Sequence, residues 1–209
     1  GDLGSGLYSV IGILAALLSR EQTNKGQHID MSLLDVQISL LTYMATMQTL
    51  SNIDPEPIGN AHFVHVPYNS FTTQNGFVVI AVITDAFWEA LLDVINIESL
   101  RDPKFSKSVD RLKNQEFIES ELNKVLSTKP SDYWIKALNE AKVPCGPINT
   151  FSQALSDEQV IHREMLVEVE HPDGGKVKMP GNPVKLSYTD EISYTPPPHL
   201  GTHTKEILK

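Results

Sequence analysis

The sequence has 209 residues, room for one large domain or a small domain with extensions. Its 41% hydrophobic and 21% charged residues suit a folded chain with a sizeable core, and a net charge of −9 argues against a nucleic-acid partner. A single cysteine, Cys145, excludes an internal disulfide framework and a multi-cysteine metal site.

Gly1-Asp2-Leu3-Gly4-Ser5-Gly6 opens the chain as a glycine-rich turn carrying one carboxylate. Leu7, Val10, Ile11, Leu14, Leu17 and Leu18 then follow the i, i+3, i+4, i+7 spacing of a helix over 6–21. Ser9, Gly12, Ala15, Ala16 and Ser19 are small enough to let another backbone approach. Arg20 complements the helix dipole in the last turn, and Asn24-Lys25-Gly26 is a stop signal. The apolar run Leu7 to Leu18 is twelve residues, shorter than a bilayer requires. No secretory signal is in view.

Gln27 to Met31 is a candidate short strand. Ser32 through Leu50 reads as a second helix, with Leu33, Leu34, Ile38, Leu40, Leu41, Tyr43, Met44 and Met47 spread around its circumference. A helix apolar on several sides is buried on several sides. These two helices need more covering surface than the chain offers, which implies further chain or a tightly joined partner.

Residues 51–60, with Asp54-Pro55-Glu56-Pro57, form a linker. Tyr68 to Thr73 and Phe77 to Ile83 flank Gln74-Asn75-Gly76, a strong hairpin signal. Thr84-Asp85 caps a helix through Phe87, Trp88, Leu91, Leu92 and Ile95. Val109 to Leu126 reads as a polar amphipathic helix, and Lys129-Pro130-Ser131-Asp132 opens another that runs to about Ala141. Val143 to Pro147 reads as a rigid turn and Phe151 to Leu155 as helix. Leu166 to Glu170, Lys176 to Met179 and Val184 to Tyr188 are extended pieces, with Gly174-Gly175 as a hairpin turn. Thr204 to Leu208 forms a last turn.

Asp2 has two readings. As an acidic residue at a helix start it interacts with the dipole and unpaired N–H groups for about 0.3–1 kcal/mol. As a nucleophile it attacks an activated acyl group, with N–H groups near Gly4 and Gly6 holding the oxyanion. His62 and His65 are three apart, but no nearby carboxylate or cysteine completes a metal set. The same holds for His199 and His203. Cys145 has no charged or imidazole neighbour to lower its pKa and reads as a structural thiol. There is no phosphate loop and no GxGxxG.

A longer pattern joins these pieces. It runs through Gly1-Asp2, Gly6, Gly12, Arg20, Gly26-Gln27, Asp30, Ser32-Leu33 and Asp35. It continues through Pro67-Tyr68, Phe71, Gly76, Trp88, Asp102-Pro103-Lys104-Phe105, Arg111, Asn114 and Val143 to Asn149. It closes with His171-Pro172, Gly181, Pro183, Pro197-Pro198, Leu200-Gly201 and His203-Thr204. In order and spacing it resembles the family III CoA-transferases, whose superfamily also holds α-methylacyl-CoA racemase.

The resemblance implies an α/β protein, α+β within this stretch, in which both chain ends build a Rossmann-like large domain. Residues 1–57 would be its helical arm, 58–165 the small α+β domain and 166–209 the return segment. Two copies would interlock as a homodimer. Asp2 would be the nucleophile, in a turn shaped by Gly4 and Gly6, and Asn60, His62 and His65 would belong to the substrate loop. The implied activity moves coenzyme A between an acyl-CoA and a small carboxylic acid through a covalent aspartyl intermediate. CoA would be a substrate, with no permanently bound cofactor, no metal, and no nucleic-acid or membrane partner. The expected location is cytoplasmic, or the mitochondrial matrix in a eukaryote.

In the family a long segment precedes the aspartate, so the resemblance reads this chain as a truncated, inactive C-terminal portion. Asn60 to Pro67 replaces the glycine-rich loop of formyl-CoA transferase. That replacement points to dicarboxylate branches and away from formate or oxalate. Two alternatives stay open: an acyl-CoA racemase on the same scaffold, with Asp2 as a base, and a non-catalytic assembly module.

Overall fold

A computed structural model of the protein describes residues 1–189 and 193–209. Contacts divide the chain into two units, Gly1–Gly59 and Asn60–Lys209. The division falls at the proline-bearing linker, and 166–209 groups with the middle of the chain in the second unit.

The first unit is helical: α1 (Asp2–Thr23), α2 (Leu33–Leu40) and α3 (Tyr43–Ser51). Helix α1 begins at Asp2, so the expected glycine-rich turn is instead its first turns, with Gly1 as N-cap. The reason lies in packing. A Cβ on Gly4 would stand 3.1 Å from Leu40 Cδ1 and 3.3 Å from Val36 Cγ1, so glycine lets α2 lie close against α1. Gly12 plays the same part toward Ile29, whose Cγ2 would be 3.3 Å from an added Cβ. Asn24 ends α1 in the left-handed region, φ 53, and its N–H donates to the Arg20 carbonyl.

The second expected helix is two helices, broken at Leu41-Thr42. Thr42 holds a φ of 51 and ψ of −129, which a β-branched residue enters only at a cost. No described residue pairs with Gln27–Met31, so that stretch is coil rather than strand. Most large apolar side chains of the unit are exposed, among them Leu7, Leu14, Leu18, Leu34 and Ile38. At 22 residues α1 passes the length and composition test for crossing a membrane. Core helices of soluble proteins pass the same test, and the twelve-residue apolar run had not suggested it.

The second unit holds a three-stranded antiparallel sheet in the order β1 (Tyr68–Thr73), β2 (Gly76–Ala81), β3 (Cys145–Pro147). The stretch expected as a rigid turn is thus an edge strand, where prolines are tolerated because one side needs no donors. The hairpin loop is Gln74-Asn75, with Thr73 opposite Gly76. Neither loop residue has a positive φ, so this is not the mirror-type turn that Asn-Gly favours. Asn75 instead accepts from Ser131 N at 2.8 Å, tying the loop to the start of a later helix.

Four helices accompany the sheet, α4 (Asp85–Ile95), α5 (Ser108–Lys113), α6 (Gln115–Leu126) and α7 (Ser131–Glu140): α6 and α7 pack on the strands, α4 packs against both of those helices and α5 against α6. Thr84 caps α4 as expected, accepting from Phe87 N. The helix expected over 109–126 is split at Asn114. Its buried stripe is Ile118, Leu122 and Leu126, while Leu112 and Phe117 are largely exposed. With Phe71, Ile80, Trp88, Leu91, Phe105 and Leu138 they form the core, each large apolar side chain contributing about 1.5–3 kcal/mol. Beyond β3 come α8 (Phe151–Leu155), opened by a Thr150–Gln153 capping box, and α9 (Glu158–His162). A separate hairpin, β4 (Leu166–Glu170) and β5 (Lys176–Pro180), turns through Gly174 and Gly175, both at positive φ. Val184–Tyr188 is not a strand. Helix α10 (Thr204–Ile207) ends the regular structure.

Candidate functional site

The candidate residues fall into two clusters, one in each unit. The first is the N-terminal end of α1. Asp2 is the first helical residue, and its side chain is exposed. It is not the helix cap: Gly1 holds that position, and no side-chain cap bond forms. The first helical hydrogen bond runs from Ser5 N to Gly1 O at 2.9 Å, so the N–H groups of Asp2, Leu3 and Gly4 have no partner within the helix. A carboxylate thus stands beside three N–H groups that the helix leaves open, at its positive end.

Gly6 does not fit its expected role. Its N–H lies inside the helix, where the pattern directs it to the Asp2 carbonyl, so it cannot serve as an oxyanion donor. A Cβ on Gly6 would meet nothing within 4 Å. One polar neighbour was missed in the sequence. The Gln37 side-chain carbonyl carbon lies 4.0 Å from where a Gly1 side chain would begin. The lone amide between Val36 and Ile38 was its signal.

The second cluster is the loop from Asn60 to Pro67, where His62 and His65 come together and Asn60 is tied instead to Ser70. Asn60 Nδ2 donates to Ser70 Oγ at 3.2 Å, and His62 N donates to the Tyr68 carbonyl at 3.0 Å. The His62 ring stacks on Phe63 and Tyr68, with centroids 4.6 and 5.1 Å away, and the His65 ring is 4.7 Å away. His62 Nδ1 accepts from Val64 N at 3.0 Å and from His65 N at 3.1 Å. Burial, and then the neighbouring His65, push the His62 pKa below the usual histidine value. Among the described residues His65 Nδ1 is buried without a hydrogen-bond partner.

Arg111 anchors this loop, and the hydrophobic pattern of α5 did not reveal it. Its side chain is 1% exposed. Nε donates to the Val66 carbonyl at 2.8 Å, Nη1 to those of Phe105 and Ser106 at 3.0 Å, and Nη2 to Asp85 Oδ1 at 2.9 Å. The guanidinium also lies 5.2 Å from the Trp88 ring centroid. One planar fork therefore joins the histidine loop, the start of α4 and the turn before α5.

The remaining candidates are structural or superficial. Cys145 Sγ donates to the Ile135 carbonyl at 3.7 Å, and burial pushes its pKa up, as suits an unreactive thiol. His199 Nε2 lies 3.3 Å from Asp173 Oδ1 in an exposed pair. Among the described residues no three His, Cys, Asp or Glu side chains converge as a metal site requires. A cleft of about 620 Å³ beside α9 and β4, lined by Glu164, Glu168 and Lys185 among others, holds none of the candidate residues.

The chain belongs to CoA-transferase family III, whose pattern matches residues 1–204. It is 33% identical to succinyl-CoA:glutarate CoA-transferase of Mus musculus, across all of this chain and 48% of that protein. It is 36% identical to acetyl-CoA:oxalate CoA-transferase of Acetobacter aceti, across 91% of this chain and 48% of that protein. A solved CAIB/BAIF family protein from Brucella suis superposes with a TM-score of 0.83 at 32% identity, covering 98% of this chain and 53% of that one. The chain spans about half the length of the curated relatives it matches.

Proposed function

We propose that the protein containing these residues transfers coenzyme A from an acyl-CoA to a dicarboxylic acid, with Asp2 as the nucleophile. The observation that carries this is the free, exposed Asp2 carboxylate at the start of α1, in a chain whose relatives are named CoA-transferases. Those relatives are named for glutarate, oxalate and mesaconate, all dicarboxylic acids.

An Asp2 oxygen attacks the thioester carbonyl carbon. The C–S bond breaks, leaving a mixed anhydride and CoA thiolate. The thiolate attacks the Asp2 carboxyl carbon, forms an aspartyl-CoA thioester and expels the first acid as its carboxylate. The acceptor carboxylate attacks the same carbon, giving a second anhydride and thiolate. The thiolate then takes the acceptor acyl group, and Asp2 leaves as a carboxylate. No net proton is consumed. The N–H groups of Leu3 and Gly4 and the helix dipole favour negative charge developing at that end.

The exposed faces of α1 and α2 suit burial against the rest of a longer polypeptide or a second copy, and the interlocked dimer belongs to this proposal. The test is mass spectrometry of the protein as its gene encodes it, after incubation with succinyl-CoA. A covalent adduct on Asp2, lost together with turnover in Asp2→Asn, is expected. Undiminished turnover in Asp2→Asn refutes the mechanism.

A further inference from the structure

The turn from His62 to His65 is closed by a side chain that can lose its hold. His62 Nδ1 lies 3.0 Å from Val64 N and 3.1 Å from His65 N, and both N–H groups donate to it. Two donors aimed at one ring nitrogen require a lone pair there, so this closure exists only while Nδ1 carries no proton. Asparagine and aspartate close turns in the same way, and neither loses its acceptor near neutral pH. An imidazole does lose it in that range.

The segment is pinned at both ends and depends on His62 in between. His62 N donates to the Tyr68 carbonyl at 3.0 Å, and Arg111 Nε holds the Val66 carbonyl at 2.8 Å. Between those pins, Ser108 Oγ reaches the Val64 carbonyl only at 3.5 Å. The surroundings also oppose a charge on the ring. The His65 ring centroid is 4.7 Å away, and Phe63 and Tyr68 stack on the His62 ring. The other ionisable groups tied to this region are on neighbouring elements. They are Arg111 of α5 with its partner Asp85 of α4, Lys107 on the far side of Asp85, and Glu119 of α6, which accepts from Asn69. Among the described residues none of these carboxylates is bonded to His62 or His65. Burial, then His65, lower the His62 pKa, the direction this geometry requires.

We propose that residues 62–65 form a pH-sensitive turn, closed while His62 is neutral and opened when a solvent proton on Nδ1 converts the acceptor for the Val64 and His65 N–H groups into a competing donor. The open form takes the proton more readily than the closed one. The closed form therefore has its full advantage above the ordinary histidine value near pH 6.5 and loses it as pH falls. Because the Tyr68 and Arg111 contacts do not involve Nδ1, the opening is confined to Phe63, Val64 and His65. The device lies wholly within the second unit and is independent of the CoA transfer proposed above.

The test is NMR of the protein as its gene encodes it, isotopically labelled at histidine and valine nitrogen, and titrated from about pH 8 to about pH 5. At the alkaline end the His62 ring is expected to show an unprotonated Nδ1. As pH falls, the Val64 amide signal should shift with the same midpoint as the His62 ring, below about pH 6.5. Val64 amide exchange, corrected for the intrinsic effect of pH, should quicken about tenfold across the titration as its hydrogen bond is lost. His62→Asn keeps an acceptor that closes the turn and does not titrate in this range, so its Val64 amide should hold still. A proton on Nδ1 at the alkaline end, a Val64 amide that ignores the His62 titration, unchanged exchange, or a His62→Asn variant that responds like the parent overturns the proposal. If His62→Asn does not fold, the unsubstituted protein decides alone: ring and amide moving together with faster exchange supports the turn, and any lack of that coupling overturns it.

Discussion

Replacing Arg111 by Met tests the anchor of the histidine loop. Val66 and Phe105 are both 0% exposed, so their carbonyls have no water to take over when the guanidinium is removed. Each buried acceptor left unpaired costs about 1–3 kcal/mol. Ser106 is exposed and Asp85 has 45% side-chain exposure, so water replaces Arg111 there at little cost. Removing the desolvation of a buried cation offsets part of the loss. The net destabilisation is about 3 kcal/mol, against a typical domain stability of about 5–15 kcal/mol.

With a urea slope of about 2 kcal/mol per M, the unfolding midpoint should fall by about 1.5 M at constant slope. Both tryptophans, Trp88 and Trp134, lie in the core of the second unit, so their emission reports on that unit. Arg111→Lys should fall nearly as far, because one ammonium cannot reach both the Val66 carbonyl and the Phe105 and Ser106 carbonyls as well as the Asp85 carboxylate. A Met variant within about 0.5 M of the parent, or a Lys variant that restores it, refutes the reasoning.

The side-chain hydrogen bond from Arg111, ahead of opposing desolvation and the attraction of Lys107, lowers the Asp85 pKa. A carboxyl with a depressed folded pKa adds stability above its unfolded value near pH 3.9, and loses it as pH falls through the folded value. Urea midpoints should therefore drop less between about pH 5 and about pH 3 in Asp85→Asn than in the parent, and an identical drop refutes the linkage. Gly181→Ala should destabilise the β4–β5 region by about 1–3 kcal/mol, because the new Cβ would overlap the Glu164 carbonyl oxygen, which is backbone and cannot swing aside. Faster amide exchange at Val167 and Met179 is the readout, and unchanged protection argues against that clash.

Much of the fold was legible because its signals are local. Thr84 lies one residue before the helix it caps, and the β1–β2 hairpin is encoded within fourteen residues, Tyr68 to Ala81. The pattern from Gly1-Asp2 to His203-Thr204 identified the family through residue order alone. Local signals failed where a distant side chain decided the outcome. Gly4 looked like part of a turn, yet it lies within α1, where Val36 and Leu40 occupy the space its side chain would fill. Asn-Gly marked the hairpin, but it could not show that Asn75 is claimed by Ser131, 56 residues away.

By itself, then, the sequence determined the family, the mixed α+β class, most helix positions and the candidacy of Asp2, because propensity, capping and apolar period act over a few residues. Tertiary structure alone decided that β3 joins the sheet, that Arg111 is buried, and that His62 Nδ1 faces the Val64 and His65 N–H groups. Those features depend on pairings such as Arg111 with Val66, 45 positions apart, and no short-range pattern encodes which partners the folded chain brings together.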